Sequence, residues 1–291
     1  MFSPLVLFAA VLALVPFAAA AFFSESWARS LKRLPVALQL GCPAALCLPY
    51  ALVTLANGVF RWGWFALYAG LPVAVALLLW EAQRTDPEQR GCWQDYLVLV
   101  VLGLAVDLRW FEPAWPASLK VFGKFLLLDA GIYGFLAVRA LTGVGFDLRL
   151  RWRDLGTGLR EFLFYAPIAI PLGLVLGFLH WHAQWPRPSH ALAAFMFTFF
   201  FIAVPEELFF RGWLQNLLER RMGRYPALAA TACLFGLAHF NKRALHFNWR
   251  YVLLAVIAGI FYGRAWRQAR RVGASAITHA TVDTLWSLWL R

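Results

Sequence analysis

Apolar residues in this chain recur in long runs separated by short charged or aromatic breaks, a pattern that predicts helix after helix rather than alternating strands. The runs lie near residues 4–24, 35–57, 64–80, 96–111, 121–141, 161–179, 190–217, 225–241, 250–266 and 273–290. Most can cross a hydrocarbon core about 30 Å thick, which takes about 20 helical residues. The expectation is an all-α, polytopic membrane bundle with about eight to ten transmembrane helices. Tryptophans such as Trp62, Trp80, Trp110 and Trp249 fall near the run ends, where indole rings rest at headgroup level.

Composition agrees. Hydrophobic residues make up 62% of the 291 positions and charged residues 14%, whereas soluble domains run to roughly 45–50% apolar and about 25% charged. The net charge of +12 could suggest nucleic acid. The basic residues instead sit in short clusters between apolar runs, where they orient helices and meet anionic headgroups, so the partner is the lipid bilayer and no nucleic acid is expected. With the N-terminus of an uncleaved first helix outside, alternate loops place most Lys and Arg in the cytoplasm, although Lys242, Arg243 and Arg250 run against that bias. Cys42, Cys47, Cys92 and Cys233 show no metal-like spacing and read as packing residues. Residues 142–160 carry Phe146, Leu148, Leu150, Trp152 and Leu155 among four arginines. They suit either a basic loop or a segment lying in the interface. The chain thus divides into N-terminal helices of unknown role at 1–141, a cytoplasmic interfacial loop at 142–160 and a transmembrane core at 161–291.

Ionisable groups inside apolar helices cost at least about 2.5–3.5 kcal/mol each, so they face the bundle interior and do something there. Three constellations stand in the last third of the chain. In Pro205-Glu206-Glu207-Leu208-Phe209-Phe210-Arg211 the two carboxylates point about 100° apart around a helix. Glu207 and Arg211 are spaced for an ion pair, which leaves Glu206 to address a different cavity. Pro205 removes a backbone donor beside them. In Phe235-Gly236-Leu237-Ala238-His239 small residues allow close helix approach around a histidine. In His279-Ala280-Thr281-Val282-Asp283 a histidine and a carboxylate share one helix face. A carboxylate beside a histidine can take a proton from water, and a second histidine can bond the oxyanion of an attacked carbonyl. Amide hydrolysis follows without a nucleophilic Ser or Cys.

Glu-Glu-x-x-x-Arg at 206–211, Phe-x-x-x-His at 235–239 and His-x-x-x-Asp at 279–283 resemble the three motifs of the CAAX protease and bacteriocin-processing family. The resemblance covers about residues 190–290 and extends to the type II CAAX prenyl proteases. It implies an intramembrane endopeptidase cutting near the C-terminus of a membrane-anchored protein or peptide, with its site toward the cytoplasmic side of a plasma or bacterial inner membrane. It also implies that Glu206 activates water, Glu207 and Arg211 hold that helix, His239 positions the water, and His279 with Asp283 serves the oxyanion. The best-described members have Asn at position 283, and an ionised Asp only accepts hydrogen bonds, so Asp283 is expected to orient His279. Glu206, His239, His279 and Asp283 would also suit zinc as an N/O ligand set, but a metal-independent glutamate mechanism is preferred. Two other readings remain: an inactive scaffold or immunity factor that binds such a partner, and a proton-coupled transporter using Lys120, Lys124 and Asp129.

Overall fold

Each of the ten apolar runs becomes a helical segment. The computed structural model describes residues 3–182, 185–242 and 246–290, and among them there is no strand. Arg243 lies outside the described residues. The segments are α1 (Pro4–Lys32), α2 (Val36–Ala56), α3 (Trp62–Thr85), α4 (Trp93–Asp107) and α5 (Ala117–Val138), followed by α6 (Trp152–Val175), α7 (Pro188–Met222), α8 (Arg224–Leu237), α9 (Trp249–Ala269) and α10 (Val272–Trp289). Among the described residues, six are long and apolar enough to cross a membrane: the Pro4–Ser24 part of α1, and α2, α3, α5, α6 and α7. The chain is therefore a multi-pass membrane protein built as a helical bundle.

The start of α6 departs from expectation. The helix begins at Trp152, inside the stretch read as a loop over 142–160, and the reason is local. Asp154 stands at the third helical position and accepts the Arg151 backbone N–H at 3.0 Å, which satisfies a donor that an unstarted helix would leave bare. The arginines around it masked that start.

The chain forms two compact units, Met1–Thr142 and Gly143–Arg291. In the first, α5 is the central helix, with 72% of its span buried against 28–33% for the other spans. Trp115 Nε1 donates to Tyr68 Oη at 2.6 Å within a buried aromatic cluster that includes Tyr50. The two lysines of the transport reading both pair with Glu112, Lys120 at 3.5 Å and Lys124 at 3.9 Å, while Asp129 is fully buried and neither of its oxygens has a hydrogen-bond partner.

In the second unit glycines set the helix spacing. A Cβ on Gly158 of α6 would lie 2.7 Å from Ile277 and 2.8 Å from the Ala274 carbonyl oxygen of α10. A Cβ on Gly236 of α8 would lie 2.8 Å from the Val252 carbonyl oxygen of α9 and collide with Val256. Such contacts bring backbones together where lipid offers no hydrophobic drive to associate. Tyr165, Phe235, Leu254, Ala258, Phe261 and Tyr262 fill the core between α6, α8 and α9. At one end, Gly145 adopts φ +72 where the Arg270 carbonyl leaves no room for a side chain. Arg271 there bonds Asp154 at 2.9 Å and Asp147 at 3.0 Å, which ties the chain ahead of α6 to the start of α10.

Candidate active site

The helix that carries Glu206 and Glu207 is wound unevenly. Within α7, π-helical turns at Phe199–Ala203 and Leu208–Gln215 flank the regular turn Val204–Glu207. Pro205 removes one amide from the ladder, and single π turns of this kind commonly stand at functional sites. Both carboxylates stand on the regular turn, where adjacent side chains point about 100° apart. Glu207 is fully buried and Glu206 keeps 30% of its side chain exposed.

Glu207 divides its two oxygens between two cations or donors. Oε2 accepts from Arg211 Nε at 3.0 Å, and Oε1 lies 2.9 Å from His279 Nδ1. Arg211 is itself fully buried, with its guanidinium 5.1 Å from the Phe235 ring centre. Because a carboxylate only accepts, His279 Nδ1 carries its hydrogen, and the ring presents Nε2 to the rest of the site. That atom lies 3.5 Å from Asp283 Oδ2 and 3.9 Å from Glu206 Oε2. The Tyr262 ring stacks on His279 at 4.6 Å and 15°, and the Phe235 ring meets it edge-on at 5.7 Å.

His239 is fixed by a different acceptor. Its Nδ1 lies 2.8 Å from the Phe235 carbonyl oxygen, so the hydrogen sits there and Nε2 keeps a lone pair in the neutral ring. Tyr251 and Phe235 flank it at 4.8 Å and 4.9 Å between ring centres. A cavity of about 60 Å³ is lined by His239, His279, Asp283, Tyr165, Tyr262 and Trp286 among others. At about 10–15 Å³ for each water this is room for several. Lys242 Nζ stands 3.9 Å from Glu206 Oε1, while His279 is nearest the other oxygen, Oε2.

Five of the six residues singled out from the sequence, Glu206, Glu207, Arg211, His279 and Asp283, are thus linked by contacts of 2.9–3.9 Å, and His239 joins them by sharing the cavity and the Phe235 ring. The Glu207–Arg211 pair stands where the spacing put it. The tie from Glu207 to His279 was not read from the sequence, nor were Tyr262, Tyr251 and Lys242. No spacing rule links residues 207 and 279, and buried tyrosines look like ordinary core. Asp283 approaches Nε2 rather than Nδ1, so the nearer partner that sets the His279 ring is Glu207.

No three donor atoms of Glu206, His239, His279 and Asp283 gather within 4.8 Å of one another. Among the described residues, the one acid, Cys and His group whose donor atoms gather within 4.8 Å of one another is Asp86, Cys92 and Asp95 in the first unit. A cation already occupies that place: Arg139 bonds Asp86 at 2.7 Å and Asp95 at 2.9 Å.

The three motifs now stand in one site on α7, the end of α8 with the turn after it, and α10. Residues 188–285 match the model of the Rce1-like family, type II CAAX prenyl endopeptidases. The matched segment is about a third of the chain and contains all six candidate site residues, Glu206, Glu207, Arg211, His239, His279 and Asp283. The Rce1-like match and the apolar helices together support a CAAX-type intramembrane endopeptidase in general terms, acting on a peptide or protein within a membrane setting. No curated protein and no solved structure matches the chain.

Proposed function

We propose that this protein cleaves a peptide bond near the C-terminus of a membrane-associated protein or peptide, using water activated by Glu206. The observation that carries the reading is His279, held at Nδ1 by the buried Glu207–Arg211 pair and presenting Nε2 toward Glu206 and Asp283. Charge balance favours a doubly protonated ring. Glu206, Glu207 and Asp283 supply three negative charges, and Arg211, Lys242 and an imidazolium at 279 supply three positive ones, which suits a site partly removed from water.

In that state the roles separate. Glu206, partly exposed where Glu207 is shut off, takes a proton from water as the water oxygen attacks the carbonyl carbon of the scissile amide. His239 accepts a hydrogen bond at Nε2 and orients that water. The carbonyl oxygen becomes an oxyanion that receives a hydrogen bond from His279 Nε2–H. The tetrahedral intermediate then collapses, the C–N bond breaks, and the leaving nitrogen recovers the proton from Glu206. Asp283 steadies Nε2–H until the oxyanion takes its place. No step passes through a metal. The substrate is a prenylated tail, a bacteriocin-like peptide or a sorting tail, each a membrane-anchored segment with a cleavable C-terminal part.

The test is cleavage of a panel of membrane-anchored C-terminal tails by protein in native membranes, with and without chelator. Wild type cleaves; Glu206→Gln melts at the same temperature as wild type but does not cleave. His239→Ala and His279→Ala lose cleavage by at least about a hundredfold, the scale of removing one acid, base or oxyanion group. Undiminished activity of Glu206→Gln would rule out the water-activation step, and loss on adding chelator would rule out metal independence.

A further inference from the structure

Away from the site, the second unit carries a cluster of arginines at one end of α6 and α9. Arg160 Nη2 donates to Glu161 Oε1 at 2.6 Å, and Arg264 Nε forms an ion pair with the other oxygen of the same carboxylate at 3.0 Å. Glu161 is almost wholly buried, whereas both arginine side chains remain 43% exposed. The two guanidinium planes share one aromatic support, Phe164, at 6.0 Å from Arg160 and 5.8 Å from Arg264, and Arg264 also lies 5.3 Å from Phe261. Gln268 completes the cluster, accepting from Arg160 through its side chain and from Arg153 through its carbonyl at 3.4 Å.

Three guanidinium charges thus face one carboxylate. A guanidinium has five donors in a rigid fork, and these bonds use only part of each fork. Rigid, stacked, half-exposed and in excess of its counter-charge, the cluster is built to take a phosphate from outside. The surface beside it fits the rest of a lipid. Leu163, Phe164 and Ile168 are exposed along α6 as it runs on from Arg160, with Leu159 exposed just before it, and that helix is one of the six long enough to span a membrane. Arg153 stands at the start of α6, Arg160 about two turns further in and Arg264 five residues before the end of α9, and long basic side chains so placed reach toward the headgroup layer.

We propose that Arg160 and Arg264, with Arg153, form a binding site for the headgroup phosphate of an anionic phospholipid whose acyl chains lie along Leu163, Phe164 and Ile168. The site does not depend on the proposed protease chemistry. It adjoins it through α6, since Phe162 follows Glu161 and lines the cavity together with Tyr165. A bound lipid would hold that wall of the cavity in place.

Purified full-length protein, exchanged into vesicles of phosphatidylcholine alone or with phosphatidylglycerol, tests this through lipids retained in native mass spectrometry and through thermal unfolding. Wild type retains phosphatidylglycerol in preference and melts higher in its presence. Arg160→Gln/Arg264→Gln lowers the preference about thirtyfold, at roughly 1 kcal/mol for each basic residue at a membrane surface. Arg84→Gln/Arg90→Gln, which removes the same charge from exposed pairs elsewhere, leaves it unchanged. Arg160→Lys/Arg264→Lys keeps Glu161 paired, so it folds, and it still loses preference because lysine has neither fork nor plane. Equal retention of the two lipids by wild type, a preference undiminished in the Gln or Lys variants, or full displacement by inorganic phosphate would overturn the lipid site.

Discussion

Glu207 is the residue on which the site turns, because it bonds Arg211 with one oxygen and His279 with the other while shut off from solvent. Removing one member of a buried pair strands the other charge, at a cost of about 3–5 kcal/mol. Glu207→Ala and Arg211→Ala are therefore expected to lower the unfolding temperature in detergent markedly and to lose cleavage, while Glu206→Gln loses cleavage alone. A Glu207→Ala protein that melts like wild type would contradict the bridging role. Asp129 is the opposite case: a fully buried carboxyl with no hydrogen-bond partner for either oxygen, where unsatisfied polar atoms cost roughly 1–3 kcal/mol. Asp129→Leu is expected to raise the melting temperature, and a fall would show that the carboxyl does a job in the first unit. At this scale the motif residues were legible because ionisable groups in apolar runs stand out. The His279 partners were not, since a contact between residues 72 positions apart leaves no local mark and Tyr262 has the composition of any core residue.

Elements are held in place by two devices, small residues inside the bundle and ion pairs at its end. Gly236 was readable as a close-approach position, and its backbone does meet α9 at the Val252 carbonyl. Adding a methyl there forces α8 and α9 apart, at about 1–3 kcal/mol for overpacking, and shifts His239 three residues on. Gly236→Ala is expected to reduce both melting temperature and cleavage, and unchanged values of both would show that the two helices give way freely. The end-tie gives a pH dependence. Burial alone would raise the Asp147 carboxyl, but bonds from Arg149 and Arg271 outweigh it and hold it down to about 2. A depressed carboxyl stabilises the fold above its unfolded value near 4 and loses that contribution as pH falls through the folded value. Melting temperature is therefore expected to drop between about pH 4 and pH 2, and Asp147→Asn to flatten that drop. An equally steep fall in the variant would place the acid sensitivity elsewhere. The ends of elements were the least legible feature: Asp154 starts α6 with one backbone bond amid arginines whose composition reads as loop.

At the scale of the whole chain, helix number and class follow from hydrophobic run length, because in lipid a backbone must satisfy itself and only a helix does so within one run. What run length does not encode is which runs belong together. The structure groups Met1–Thr142 and Gly143–Arg291, and all the chemistry falls in the second group: the six candidate site residues, the 60 Å³ cavity, the core around Phe235 and Tyr262, and the family-matched segment 188–285. The second unit also carries its own ties, through Gly158 against α10, Gly236 against α9 and Arg271 against Asp147 and Asp154. A unit with a complete core and all six candidate site residues has what it needs to fold in a membrane. Residues 143–291 produced alone are therefore expected to insert, to melt cooperatively and to cleave any tail that the full chain cleaves. Measured side by side, a fragment that melts but does not cleave would assign substrate capture to residues 1–142. A fragment that aggregates without a melting transition would instead make those helices a structural requirement, and unit-by-unit packing would no longer suffice to account for the fold.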